Sequence, residues 1–321
     1  RIYALGENGT GIRLSAGVSG CLISDNTIDL RDREGLGRTG IDVACVAGAA
    51  SNRLDHNRIA GCSAGIRVSG EGEDAAEDPG LLVTSNRLID CNVGLDLPVG
   101  VVSGRFNEFE QCTDASVRVS GGCHRLDSER FEAGAEVSIS GGEMELINAV
   151  FAAPNTTAAT VTKGVLRILH GTVWRPSGTG PLLRVSPEGT LRLEQSILSA
   201  PGPDLIEGSP VVSADRPNAL VAGPGHSGGG PSSPDFRDPL RGDFRIEPSG
   251  TASMRGQCIP DCRTDATGAG RPRARCTLGA FEMGVAGNVG RTVRLAREDC
   301  TAAALADTFR QLFPGDTLEL P

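Results

Sequence analysis

The sequence predicts an all-β fold: a right-handed single-stranded parallel β-helix, or solenoid, with a short C-terminal helix-strand capping segment. Three observations predict it. A phrase that opens on Asn recurs along the first two-thirds of the chain, and short runs of alternating apolar and polar residues separate its copies. Glycine is abundant (44 of 321 residues) while aromatic residues make up only 3%, a balance suited to many tight turns around a narrow core.

The recurring phrase is clearest in NTIDL at Asn26, NRIAGC at Asn57, NRLIDC at Asn86 and NEFEQC at Asn107. Weaker copies are ERFEAG at Glu129, NAVFAA at Asn148, GTVWRP at Gly171 and QSILSA at Gln195. Successive copies lie 31, 29, 21, 22, 19, 23 and 24 residues apart. Between them come GIRLS from Gly11, GIDVA from Gly40, GIRVSG from Gly65, GLDLPV from Gly94, SVRVSG from Ser116 and EVSISG from Glu136. Strict alternation over four or five residues means short strands with one buried face. Two or three such strands cannot close a core alone, so each coil must stack on its neighbours, about 4.8 Å away in a parallel ladder. Asn at the turn suits either a left-handed backbone position or a ladder of stacked side chains. A β-sandwich would need Asn-Gly or Asp-Gly hairpin turns, which are scarce here.

In its repeats, as in NRIAGCSAGIRVSG, the chain resembles the pectate-lyase-like superfamily of parallel β-helices, from about Gly9 to Ala200. That superfamily holds lyases, hydrolases, epimerases, adhesins and fibres, so the resemblance implies a fold and no single activity. A second stretch, SPDFRDPLRGDFRIEPSGTA (Ser233 to Ala252) followed by RTDATGAGRPRARCTLGAFEMG (Arg263 to Gly284), resembles the closing region of bacterial secreted choice-of-anchor proteins. It departs from them in the insertion MRGQCIPDCR. The expected organisation is coils over 1–222, a Gly/Pro/Ser-rich loop over 223–234, last coils and a loop-rich closing region over 235–290, and a capping segment over 291–321.

A formal charge of −9 and a pI near 5.1 leave no basic stripe to neutralise phosphates, which argues against nucleic acid. No run of 18 apolar residues is present to span a membrane. Ten cysteines, with the bacterial secreted resemblance, point to an extracellular or cell-surface location.

Residues that could carry chemistry do not converge. A β-helix lyase needs a basic residue beside Ca²⁺-binding carboxylates, and a glycosidase needs clustered Asp or Glu. Asp42 and Asp96 hold equivalent strand positions, but Arg67 falls between them, which reads as a charge ladder on a solvated face. The loop EGEDAAEDPG (Glu71 to Gly80) offers oxygen ligands for Ca²⁺ without regular spacing, so a solvated insertion is the better reading and no cofactor is expected. Arg241 to Asp243 spell RGD inside a strand start, a coincidence of that strand. His56, His124, His170 and His226 are scattered, and one Trp and one Tyr offer little for stacking sugars. Cys62, Cys91 and Cys112 share one repeat position and should stack inward as free thiols. Cys258, Cys262 and Cys276 lie in the loop-rich region, where a disulfide would staple the insertion.

The chain starts at Arg1 rather than Met and closes on ADTFRQLFPGDTLELP, which reads like the opening of a solenoid: a capping helix, then a first strand. Residues 301–313 place Leu305, Phe309 and Leu312 on one helical face. The expectation is that Leu305, Phe309, Leu312, Phe313, Leu318 and Leu320 pack near Ile2, Tyr3 and Leu5 of the next subunit, or of an adjacent repeat of the same polypeptide. The expected function is a structural extracellular β-helix protein assembling head to tail with copies of itself. The alternatives are a secreted polysaccharide-acting enzyme, such as a lyase or glycoside hydrolase, and a surface adhesin or glycan-binding module.

Overall fold

The computed structural model describes residues 9–31, 37–44, 52–70, 80–132, 136–152, 157–178, 180–202, 204–212, 218–222, 236–241, 243–246, 259, 262–271 and 276–282, with short strands at 2–3, 292–294 and 317–319. The chain is a parallel β-solenoid. Each early coil carries three strands, as in Thr10–Leu14, Leu22–Ser24 and Thr27–Asp29. The third strands form a 10-stranded sheet from Ile2–Tyr3 to Ala219–Ala222, and the first and second strands share a 16-stranded sheet. These two faces merge because Ala159–Leu169 and Leu183–Glu194 each run straight through the corner that a turn occupies in earlier coils.

The alternation expected from sequence sets the packing. In the first strands Ile41, Ile66, Leu95 and Val117 stack inward in register and are fully buried. On the third strands Phe109, Phe131 and Phe151 form an internal stack with ring centroids 5.0 and 4.4 Å apart and rings nearly parallel. Cys62, Cys91 and Cys112 are buried free thiols in consecutive coils, each bonding to the carbonyl two residues earlier. Burial raises the Cys112 thiol to about 12, and the neighbouring Cys62 together with burial holds Cys91 well above its usual range. The outward row Arg13, Asp42, Arg67, Asp96 alternates in sign as expected, with contacts of 3.1 Å (Arg13–Asp42) and 3.9 Å (Arg67–Asp96).

The recurring Asn forms a side-chain ladder. Asn57 Oδ1 accepts from both the backbone N–H (3.1 Å) and the amide (3.0 Å) of Asn26. Asn86 and Asn107 repeat this one coil further on each time. The left-handed position is the residue before: Asp25, His56, Ser85, Phe106, Ser128, Asn148, His170 and Gln195 all have φ between 52° and 62°. The weaker copies at Asn148 and Gln195 therefore belong one residue later, since strand register aligns Arg130 with Val150 and Thr172 with Ile197. Ala149 and Ser196 hold those ladder positions. Asn is the commonest substitute for Gly at a left-handed position, which is why Asn148 imitates a ladder residue.

Candidate functional site: a corner groove and the lobe that walls it

The left-handed corner between second and third strands carries a concave surface. A groove of about 880 Å³ runs along it, its floor reaching from Ser24 through Asp55, Thr84 and Arg105 to Ser128 and Val150, one coil per step. Thr264, Ala266, Thr267, Gly268 and Phe281, from the closing region, form a wall.

That wall is a docked lobe with a buried polar fastening. The Arg271 guanidinium, with 1% side-chain exposure, donates to Glu282 Oε1 at 2.5 Å, Asn148 Oδ1 at 2.8 Å and the carbonyls of Gly279 and Thr264 at 2.9 and 3.1 Å. Asn148 donates in return to the Thr264 carbonyl at 2.9 Å. Asp265 Oδ1 accepts from Thr267 N–H and Ala269 N–H, which closes the turn, while its Oδ2 accepts from Glu282 N–H. Gly279 has φ +82°, and a Cβ there would stand 2.7 Å from Thr172 Oγ1. These are the residues of the TD, GRP and GAFE stretches noted in the sequence, so that pattern is a docking device. An unpaired charge at such depth would be strongly destabilising, and the Arg271 guanidinium offsets that penalty by sharing its five N–H groups among six acceptor oxygens. Burial raises the Glu282 carboxyl above its ordinary value in spite of Arg271. Beneath the lobe His170 is fully buried, and burial together with Arg271 pushes its imidazole down to about 2, so it stays neutral.

The groove floor pairs its own charges. Arg53 donates to Asp55 Oδ2 at 3.0 Å, and the Thr84 hydroxyl donates to Asp55 Oδ1. His56 Nδ1 lies 3.0 Å from Asp55 Oδ1, though its N–H is misaligned for a hydrogen bond. Burial raises the Asp55 carboxyl; the Thr84 hydroxyl, His56 and Arg53 more than offset this, leaving it below the usual range. Arg105 lies 3.9 Å from Asp127, donates to Thr264 Oγ1 at 3.3 Å and stacks 4.5 Å above the Phe106 ring. Phe106 holds φ 58°, and a bulky residue there costs about 1–2 kcal/mol. At the base of the groove Glu129 is fully buried and ends the Asn ladder, accepting the backbone N–H of Asn107 at 2.7 Å and its amide at 3.1 Å. Desolvation raises its carboxyl well above the ordinary range.

Asp42 and Asp96 stand on the first-strand face, away from this groove, and His124 points into the core with a lowered pKa caused by burial. Ile2–Tyr3 pair in parallel with Ile28–Asp29. Leu318 lies in the strand Thr317–Glu319, which pairs in parallel with Thr292–Arg294. Among the described residues no strand joins these two ends. Leu5, Leu305, Phe309, Leu312, Phe313 and Leu320, the acidic loop over 71–79, His226 and Cys258 lie outside the described residues. Cys262 and Cys276 are both buried, and no disulfide joins these two to each other. Composition and spacing did not single out Arg105, Phe106 or Arg271. The signal for Phe106 was its place directly before a ladder Asn, where the other coils carry polar residues.

Fold and corner define the class: a parallel β-solenoid with a docked C-terminal lobe. No family model, no curated protein and no solved structure matches the chain.

Proposed function

We propose that this is a structural solenoid that stacks end to end with copies of itself, at or outside the bacterial cell surface. The observation that carries the reading is the first coil. Ile12 and Leu14 stand in the inward rows of the solenoid and are only half-buried, whereas Ile41 and Val43 beside them are fully buried. Thr10–Leu14 and Leu22–Ser24 each pair on one side only among the described residues. Such a strand edge is a template for a further coil, supplied by a copy of this chain or by an adjacent repeat of the same polypeptide. The parallel pair Thr292–Arg294 and Thr317–Glu319 stands as a sheet of its own, with the polarity of a solenoid rung. Two strands alone are marginal in water, and an added sheet edge would complete them. Such a contact is heterologous, and where it does not close it yields a filament. No helix among the described residues is long and apolar enough to cross a membrane. The extracellular setting rests on the resemblance of the closing region to bacterial secreted choice-of-anchor proteins.

Sedimentation velocity and negative-stain microscopy of the full chain test this. Elongated species should grow with concentration, and Leu14→Lys, checked for an unchanged circular dichroism spectrum, should reduce them to monomer. A monomer at every concentration, or unchanged assembly by the variant, would refute it.

A further inference from the structure

His170 occupies a left-handed corner (φ 52°) beneath the docked lobe, fully buried, and neither of its ring nitrogens has a hydrogen-bond partner. Buried polar atoms are nearly always satisfied, so a ring sealed in with two unmet nitrogens calls for an explanation. The corners on either side of it carry neutral amides, Asn148 and Gln195. An amide of that kind would serve the same backbone without a titratable ring.

The groups around the ring come from lobe and body alike. From the lobe the Thr277 and Gly279 carbonyls face it without an aligned hydrogen bond, and the Arg271 guanidinium adds its positive charge. Arg271 is held in place by Glu282 at 2.5 Å, and the lobe's other titratable groups, Asp265, Cys262 and Cys276, are buried. On the body, Glu194 pairs with Arg167 at 3.2 Å, and its backbone carbonyl accepts the His170 N–H. The two lobe carbonyls favour a charged ring. Burial first, and Arg271 second, outweigh them.

We propose that the lobe is an acid-released clasp: an imidazolium at His170 cannot stay beneath Arg271, so protonation detaches residues 262–282 from the side of the solenoid. The clasp is independent of end-to-end stacking. Release takes Thr264, Thr267 and Phe281 away from the corner groove. It also uncovers Val150, packed on Phe244 and Ala280, and Ile197, packed on Ile246 and Leu278. The sign follows from linkage. Docked, the imidazole stays neutral down to about 2; undocked, it has its ordinary value of 6.5. Docking is therefore unopposed above 6.5 and weakens about tenfold per pH unit below it. Glu282 works the other way, because its raised docked value favours docking in acid. That contribution is complete below 4.5 and fades as pH rises, and a variant lacking His170 would still show it.

Hydrogen exchange of the full chain, read by mass spectrometry and corrected for the intrinsic pH dependence of exchange, tests this. Gly279 N–H donates to the Gln195 carbonyl and Ala280 N–H to Thr172 Oγ1, both across the docked face, so their protection measures release. From about pH 7.5 to about pH 5.5 that protection should fall about tenfold in the wild type. The strands Ala64–Ser69 and Val93–Leu97 should keep theirs. His170→Asn and His170→Gln, which introduce the amides of the flanking corners, should show level protection, or a slight rise in acid from Glu282. Level protection in the wild type, or an equally steep fall in either variant, would overturn the proposal. So would a parallel fall in the two strands, since the pH effect would then belong to the whole fold.

Discussion

Replacing Asn86 by Ala tests the ladder at its best-connected member. Asn86 is 1% exposed. Its Oδ1 accepts from Asn57 N–H at 3.0 Å and Asn57 Nδ2 at 2.9 Å, and its Nδ2 donates to Leu54 O at 2.9 Å and Asn107 Oδ1 at 3.0 Å. Ala leaves the Asn57 N–H with no acceptor. Asn57 Nδ2 keeps the Ile23 carbonyl and Asn107 Oδ1 keeps Asn86 N–H, so those two groups are weakened and not orphaned. One orphaned buried donor costs about 1–3 kcal/mol, and each net hydrogen bond lost adds about 0.5–1.5 kcal/mol. A total loss of roughly 3 kcal/mol follows from these terms. Asn86→Ser is the discriminating control, because Ser196 already serves in an equivalent position, accepting Gly171 N–H at 2.9 Å. Ser should recover about half of the loss. Urea unfolding followed by circular dichroism measures both. If Ala costs under about 1 kcal/mol, or as little as Ser, the ladder is an ornament of the turn and the reasoning fails.

Two further outcomes are expected. Glu129 has a folded pKa well above its ordinary 4.5, so the neutral acid favours the folded state. That contribution is complete below 4.5 and is lost as pH rises through the folded value. Melting midpoints from about pH 5 to 8 should therefore fall in the wild type relative to Glu129→Gln, and parallel profiles would show Glu129 ionised throughout. The thiols give the second. Cys123 is exposed and should react with maleimide in the native protein, while Cys62, Cys91 and Cys112 should react only after denaturation without reductant. Ladder thiols that resist labelling in denaturant would mean they are oxidised.

The solenoid was legible in the sequence because its signal is a sum over coils. Each Asn, inward Ile or Cys repeats at a matched offset, and a single departure does not hide the period. The one-residue slip at Asn148 and Gln195 arose because ladder and left-handed positions are adjacent and favour overlapping residue types. The groove was not legible. Arg105 and Thr264 meet across 159 residues, and no local pattern records a contact between a coil and a lobe so distant in the chain. Arg271 and Glu282 were visible only as parts of a family-like phrase, whose physical role appeared once both were found buried against Asn148.

The ladder also has a direction. Every amide from Asn26 to Asn107 donates to the ladder residue of the following coil, and from Asn57 on it also donates back to a backbone carbonyl of the preceding coil; this run ends on Glu129, whose carboxyl oxygens receive donors and whose next coil offers Ala149. Between those limits each coil presents the same two surfaces, an acceptor and one amide donor toward the coil before it and donors toward the coil after. The molecule can therefore change length there by gaining or losing whole coils without disturbing either end, as a ruler is cut at its marks. Beyond Glu129 the series breaks at Ala149 and resumes with Ser196, which accepts Gly171 N–H, and Asn218, which accepts Ser196 N–H.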